Sequence, residues 1–170
     1  IGQGELGCTP LQMANLAATL ANRGYYYTPH IVKRIDGRDS IDSRFYERHR
    51  TKVDSRHFDL IVKGMYDAVH VDGGTGRNAY VPGLDICGKT GTAQNPHGQD
   101  HSTFLCFAPM DDPKIAVSVY VENGGFGGSI AAPIAGLIVE QYLTDTLSRP
   151  ELVRQVTNTT LSYPYYDRQQ

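Results

Sequence analysis

Three strand-like runs near the middle of the chain constrain the fold most. The first ends in a Lys-Thr-Gly-Thr sequence at residues 89–92, the second covers residues 102–108, and the third covers residues 114–122. Short connections rich in turn residues join them, at 95–100 and 109–113. The third run alternates a strongly apolar face with a less apolar one, which is typical of an antiparallel sheet covered by helices. The three runs therefore predict an antiparallel meander within an α+β fold.

Three helical patterns flank these runs. Thr9, Pro10 and Gln12 form a capping box with proline at the first helical position, and Gly24 suits a left-handed C-cap. A second helix begins after Asp54 or Ser55 and ends at a Gly-Gly pair. Its predicted buried face recurs at three- and four-residue steps: Phe58, Ile61, Val62, Met65 and Val69. A third helix is predicted from a Ser129 cap to Arg149-Pro150. Its predicted apolar face is Ile130, Ile134, Leu137 and Ile138.

The remaining segments are assigned more simply. Residues 25–35 are β-branched and aromatic, which predicts a strand, and a Tyr-Tyr-Tyr triplet at its start favours packing over a stacking platform. Residues 36–52 interleave basic and acidic side chains, as a surface excursion does. The polar tail at 151–170 shows no clear period. We therefore expect one main unit at 1–150 and a separate C-terminal tail at 151–170.

Composition and charge exclude several classes of protein. The 170 residues suit one domain, and a formal net charge of −2 argues against a nucleic-acid-binding surface. No apolar run approaches the roughly 20 residues that cross a bilayer. Three widely spaced cysteines, without a C-x-x-C pair, argue against a zinc ribbon or redox motif. The chain opens on a glycine-rich stretch, from which we expect a piece of a longer protein.

The Lys-Thr-Gly-Thr sequence allows two functions. Residues 83–90 satisfy the G-x-x-x-x-G-K-[ST] pattern of a phosphate-binding P-loop. A P-loop needs an open loop leading into a helix, whereas these residues resemble the interior of a strand and a proline follows at Pro96. The alternative is an edge strand bordering a cleft. There Lys89 would supply positive potential, Thr90 and Thr92 would bind a carboxylate, the Thr92 amide could face an oxyanion, and Gly91 would admit a substrate backbone.

Several motifs together resemble a known family. Lys89-Thr90-Gly91-Thr92-Ala93 is similar to the third motif of penicillin-binding proteins and serine β-lactamases. The similarity extends to the opening glycine-rich stretch, the capping box that follows it, and segments at 100–109, 121–125 and 131–133. The chain resembles the C-terminal part of the transpeptidase domain of class B penicillin-binding proteins, and within them the elongation type, penicillin-binding protein 2.

The resemblance implies a fold, a reaction and roles for site residues. The fold would be the β-lactamase/transpeptidase architecture, incomplete in this chain. In the family, a serine attacks the D-Ala-D-Ala stem peptide, and the acyl group passes to a neighbouring stem. By resemblance, Lys89 and Thr92 take part in catalysis, and Thr90, Gly91 and Thr92 bind the substrate. The parent protein would act outside the cytoplasmic membrane, anchored by an upstream segment, with the cell-elongation machinery, stem peptides and β-lactams as partners.

Two family motifs are missing from this chain. It contains neither S-x-x-K nor S-x-N, so the nucleophile is absent and the fragment alone is expected to be inactive. Uncovered apolar surface would favour self-association. No cofactor is implied, and His97 and His101, on a turn without a third ligand, do not predict a metal site. A P-loop nucleotide-binding protein and a non-catalytic cell-wall binding module remain the alternatives.

Overall fold

The computed structural model describes residues 3–38 and 40–161 of the chain. Nine helices and strands of these ranges are named here, together with two short 3-10 helices at Ser43–Phe45 and Arg77–Ala79. In chain order they are α1 (Pro10–Ala21), β1 (Tyr25–Tyr27), β2 (Arg48–Arg50), α2 (Arg56–His70), β3 (Cys87–Ala93), β4 (His101–Ala108), β5 (Ile115–Val121), α3 (Ala131–Thr144) and α4 (Pro150–Asn158).

The central sheet is the predicted antiparallel meander, with strand order β3-β4-β5. In its register Gly91 lies opposite Thr103, and Phe104 lies opposite Val119. Because β4 occupies the middle position, one long side of β3 has no neighbouring strand among the described residues. The predicted α+β class and the predicted edge position of the Lys-Thr-Gly strand are both confirmed.

Helices cover both faces of this sheet and form two apolar clusters. On one face α3 packs over Phe104, Cys106 and Val119, all of which are buried. On the other face, side chains of α1 and α2 pack against Cys87 and Phe107. Alternate side chains of one strand point to opposite faces, so the sheet contributes to both clusters.

The first two helices begin largely as their sequences predict. Thr9 caps α1 with the complete capping box, its hydroxyl accepting from the Gln12 amide at 3.3 Å. Asp54, not Ser55, supplies the side chain at the start of α2 and accepts from the Arg56 amide at 3.1 Å. The predicted buried face of α2 holds except at Ile61, which is half exposed.

The prediction for α3 was wrong in its cap, its end and most of its buried face, since of the predicted residues Ile134 packs against the core cluster whereas Ile138 is exposed. Ser129 makes no side-chain capping bond, and the helix ends at Thr144, with Asp145 in the left-handed region at φ 55°. The residues buried against the sheet are mostly small: Ala131, Ala132, Pro133, Ala135, Gly136, Val139 and Glu140. The backbone at Gly136 shows how closely this face packs, since a Cβ on Gly136 would lie 2.6 Å from the Ala79 carbonyl oxygen. Close approach to the segment before β3 thus excludes large side chains.

The predicted strand at 25–35 is much shorter in the structure. Only Tyr25–Tyr27 pairs, with β2 as its antiparallel partner, and Pro29 follows two residues later. The Arg48 guanidinium lies 4.2 Å from the centre of the Tyr25 ring, so that ring packs within the pair of strands. The interpretation of the tyrosine triplet as packing agrees with this arrangement.

The C-terminal tail contains a helix that the sequence reading missed. Pro150 stands at the first position of α4, and the partly buried residues Leu152, Val153 and Val156 recur at helical spacing. Residues 162–170 of the predicted tail lie outside the described residues, as do Ile1 and Gly2 of the opening stretch. Within 3–38 and 40–161, no helix has the length and apolar character needed to cross a bilayer.

Candidate functional site

The free edge of β3 is the centre of the candidate site. The Gln3 side-chain amide donates to the Thr92 carbonyl oxygen at 3.3 Å, and its oxygen accepts from the Gln94 amide at 3.3 Å. The Thr92 carbonyl therefore points away from β4. In an antiparallel strand, the N–H and C=O of one residue point to the same side. The Thr92 amide consequently also faces the free edge, where the predicted oxyanion contact requires it.

Lys89 supplies a positive charge at the free edge of β3. Its side chain is exposed, and its ammonium group donates to the Thr90 carbonyl oxygen at 2.8 Å. The contact holds the charge beside the backbone of β3. An anion at this edge would therefore meet a fixed cation.

The hydroxyls of Thr90 and Thr92 lie on one face of β3, because the two residues are two positions apart. The Thr90 hydroxyl donates to the Thr75 hydroxyl oxygen at 3.2 Å. The Thr92 hydroxyl oxygen accepts from the Gly127 amide at 3.3 Å, so its own proton is free to be donated elsewhere. The two predicted carboxylate-binding hydroxyls are thus each held by a residue from another loop.

Gly91 packs closely against its neighbours in the sheet. A Cβ at this position would lie 2.3 Å from the Thr103 hydroxyl oxygen of β4. On the face that carries the two hydroxyls, Gly127 crosses the sheet so closely that a Cβ on it would lie 2.2 Å from the Gly91 carbonyl oxygen. These contacts are with the protein's own side chains and backbone, and the approach of a substrate backbone to Gly91 stays a prediction.

The P-loop alternative does not agree with the structure. Gly88, Lys89 and Thr90 lie inside β3 and pair with β4, so they form no loop that could surround a phosphate. The next helix along the chain, α3, begins only at Ala131. A P-loop needs a helix that starts near its Lys-Thr pair. This interpretation is therefore wrong.

The two histidines after β3 belong to the turn and to the next strand. His101 accepts through Nδ1 from the Asn123 amide at 3.1 Å, and its ring centre lies 5.5 Å from that of Tyr120. The His97 amide donates to the Asn95 side-chain oxygen at 3.0 Å. Over the described ranges, no three His, Cys, Asp or Glu side chains come together as metal ligands would.

Sequence reasoning missed the residues that surround the two hydroxyls. Thr75 and Asn78 come from the segment between α2 and β3, and Gly127 and Gly128 come from the loop before α3. The Asn78 side-chain amide donates to the Gly128 carbonyl oxygen at 2.8 Å and ties the two segments together. The glycine-rich composition of both segments was the available signal, since close backbone contacts require glycine.

Comparisons with known proteins agree with this geometry. A family model described as the penicillin binding protein transpeptidase domain matches residues 1–140. The chain is 37% identical over 171 residues to the peptidoglycan D,D-transpeptidase MrdA of Haemophilus influenzae. The aligned region covers 89% of this chain and 26% of that protein.

Solved structures show the same similarity. The structure of Pseudomonas aeruginosa PBP2 in complex with WCK 5153 is 40% identical with a TM-score of 0.72, over 85% of this chain and 31% of that chain. The imipenem acyl-enzyme complex of penicillin-binding protein A from M. tuberculosis is 33% identical, with a TM-score of 0.68. The match covers 85% of this chain and 33% of that chain. The chain thus spans about a quarter to a third of the length of these relatives. The predicted resemblance and the transpeptidase-like fold are confirmed.

Proposed function

Because the chain belongs to the penicillin-binding protein transpeptidase domain family, we propose that it is the C-terminal part of a serine-type peptidoglycan D,D-transpeptidase. The main unit at 1–150 supplies the Lys-Thr-Gly wall of the active site. Residues 151–170 form an appended segment. The nucleophilic serine comes from a part of the protein that carries the S-x-x-K motif, which this chain lacks.

The proposed reaction is an acyl transfer between two stem peptides. The serine hydroxyl attacks the carbonyl carbon of the D-Ala-D-Ala bond, and the terminal D-Ala leaves with its amine protonated. The amine of a second stem then attacks the acyl-enzyme, and the serine oxygen recovers a proton as the new amide forms. Lys89 contributes the positive charge beside this proton transfer.

The observation that carries this proposal is the exposed edge of β3 with the Thr92 backbone directed outward. An extended stem peptide can pair along such an edge as an added strand. The Thr92 amide then faces the developing oxyanion, where one donor contributes about 3 kcal/mol of transition-state stabilisation. Thr90 and Thr92 bind the terminal carboxylate, and Gly91, which has no side chain, lets the substrate backbone approach β3 closely.

The partners and location follow from the proposed subtype. The similarity to PBP2-type proteins supports an elongation role, with the cell-elongation machinery as partner and β-lactams as inhibitors. We propose that the parent protein is anchored in the cytoplasmic membrane and acts on its outer face. No cofactor takes part, and the charge of −2 gives no reason to expect a nucleic acid as partner.

Covalent labelling with a fluorescent penicillin tests the function. We expect the full-length protein to gain one adduct, measured by intact mass, and this chain alone to gain none. Lys89→Ala should slow the labelling of the full-length protein strongly, whereas Lys114→Ala, at an exposed lysine before β5, should leave it unchanged. A full-length protein that stays unlabelled would overturn the proposal and favour a non-catalytic cell-wall binding module.

A further inference from the structure

The segment between α2 and β3 places Thr75 beside the candidate site. The Gly76 amide donates to the Ala68 carbonyl oxygen at 2.8 Å, which fastens the segment to the end of α2. A Cβ on Gly76 would lie 3.0 Å from the Phe104 ring, and a Cβ on Gly128 would lie 2.7 Å from the Thr75 carbonyl oxygen. The backbone on either side of Thr75 is therefore packed closely, while the Thr75 side chain itself is exposed beside the site. These contacts place the Thr75 hydroxyl next to the candidate site.

The Thr75 hydroxyl forms a hydrogen bond with the Thr90 hydroxyl. Their oxygens lie 3.2 Å apart, and the Thr90 hydroxyl is the donor. A hydroxyl both donates and accepts, so the same pair can keep its bond with the direction reversed. When Thr90 turns its proton toward an anion, Thr75 can donate to the Thr90 oxygen. A donor behind a hydroxyl polarises it and strengthens the bond that it donates.

The neighbouring hydroxyl already has this arrangement. The Gly127 amide donates to the Thr92 oxygen at 3.3 Å and leaves the Thr92 proton free. Each of the two hydroxyls on this face of β3 is thus in contact with a group able to donate to it, a backbone amide for Thr92 and a side-chain hydroxyl for Thr90. Only the second of these groups can be removed by changing a side chain.

We propose that Thr75 is a positioning residue for carboxylate recognition, which acts by orienting and polarising the Thr90 hydroxyl. The inference rests on the proposed transpeptidase function and adds to it a residue outside the Lys-Thr-Gly motif. Thr75 does not itself contact the reacting atoms. Its role is to make Thr90 a better donor to the carboxylate of a stem peptide or of a β-lactam.

The test compares Thr75→Val with Thr75→Ser in the full-length protein. Valine preserves the shape and removes the hydroxyl, whereas serine keeps it. For a penicillin with a free carboxylate, we expect Thr75→Val to raise the dissociation constant of the complex before acylation about 3- to 10-fold, the effect of one neutral hydrogen bond. The limiting acylation rate should stay within about 2-fold, and Thr75→Ser should restore wild-type binding.

Two controls separate positioning from a general structural effect. The methyl ester of the same penicillin has no carboxylate, so Thr75→Val should react with it as the wild type does. Thr157→Val, on the exposed part of α4, should change neither reagent's kinetics. If Thr75→Val raised the dissociation constants of both reagents equally, or raised neither, the inference would be overturned and the proposed function would stay intact. A wild-type protein that forms no adduct with either reagent would instead overturn the proposed function, and the inference with it.

Discussion

At the scale of single residues, glycine and threonine define the candidate site. Gly127 crosses the β3–β4 pair where any side chain would meet backbone, and its amide reaches the Thr92 hydroxyl. Backbone atoms cannot move aside as a flexible side chain can. The geometry of the two hydroxyls therefore depends on residues that carry no functional group of their own.

Gly127→Ala should displace the loop before α3. Its Cβ would lie 2.2 Å and 2.4 Å from two backbone oxygens, those of Gly91 and Thr103. We expect a destabilisation of at least about 2 kcal/mol, measured by chemical denaturation, together with slower penicillin labelling of the full-length protein. Gly64→Ala is the matched control. A Cβ on Gly64 meets nothing within 4 Å, so alanine in the middle of α2 should stabilise by up to about 1 kcal/mol. Equal effects of the two substitutions would contradict this account.

The three cysteines should differ sharply in reactivity. Cys87 and Cys106 are fully buried, and burial raises the pKa of both thiols to about 12, whereas Cys8 is exposed. The two buried side chains also point to opposite faces of the sheet, in different apolar clusters, and so cannot form a disulfide. A thiol reagent should label one cysteine, Cys8, in the folded chain and all three in denaturant, as read by peptide mapping. Rapid labelling of Cys106 under native conditions would show that the α3 face is open.

At the scale of elements, the start of α3 is capped by a side chain from strand β4. The Ser102 hydroxyl of β4 donates to the Phe126 carbonyl oxygen at 3.0 Å and accepts from the Ala131 amide at 3.1 Å. The side chain is fully buried, so no water can replace either bond. This contact fixes both the start of α3 and the loop that carries Gly127.

Ser102→Ala should therefore destabilise the protein by about 1 to 3 kcal/mol, because it leaves a buried amide and a carbonyl without that partner. Ser129→Ala is the control, since Ser129 is exposed and makes no capping bond with its side chain. Thermal unfolding of the two variants measures the difference. If Ser129→Ala lost more stability than Ser102→Ala, the result would favour Ser129 as the cap, as the sequence predicts.

At the scale of the whole molecule, a buried ion pair joins α3, the start of α4 and the segment before β3. The Arg149 guanidinium lies 3.1 Å from the Glu140 carboxylate and donates to the Tyr80 carbonyl oxygen at 2.9 Å. Ser148 donates to the same carboxylate through its amide, at 2.9 Å, and through its hydroxyl. These contacts connect the C-terminal helices to the segment that carries Thr75.

The ion pair should make stability depend on pH in acid. Burial alone would raise the pKa of Glu140, but the hydrogen bonds from Ser148 and Arg149 outweigh it and lower the pKa below its ordinary value. A carboxyl with a lowered folded-state pKa stabilises above its unfolded pKa, and the contribution is lost as pH falls through the folded pKa. Glu140→Gln should cost about 2 to 4 kcal/mol at neutral pH. The difference from wild type should shrink in acid, as denaturation at several pH values would show.

Glu151→Gln is the matched control for that experiment. Glu151 forms an exposed ion pair with Arg154 at 2.8 Å, and exposed pairs contribute little. Its substitution should leave stability nearly unchanged at every pH. A difference between Glu140→Gln and wild type that stayed constant into acid would contradict a stabilising charge at Glu140.

The chain on its own should self-associate. Several large apolar side chains are mostly exposed, among them Leu6 at 94%, Ile31 at 101% and Leu60 at 77%. Exposed apolar side chains that meet in a contiguous patch favour association between copies of a chain. Light scattering of this chain should show a mass that increases with concentration. A monomer at all concentrations would contradict the prediction.

Local patterns along the sequence were enough to determine several features. The capping box at Thr9 specifies the start of α1 because all of its partners lie within three residues. Alternation along residues 114–122 specifies the last strand of the meander. The Lys-Thr-Gly-Thr order allowed two functions by itself, and it indicated the family only together with the other motifs along the chain.

The tertiary structure alone decided the features that depend on distant contacts. Ser102 caps α3 from 29 residues away, a distance at which no local pattern can indicate the partner. The small buried face of α3, the pairing of Thr75 with Thr90 and the closeness of Gly127 to β3 all arise where separate segments meet. Side chains in such places are selected by the space that remains, and that space exists only once the chain has folded.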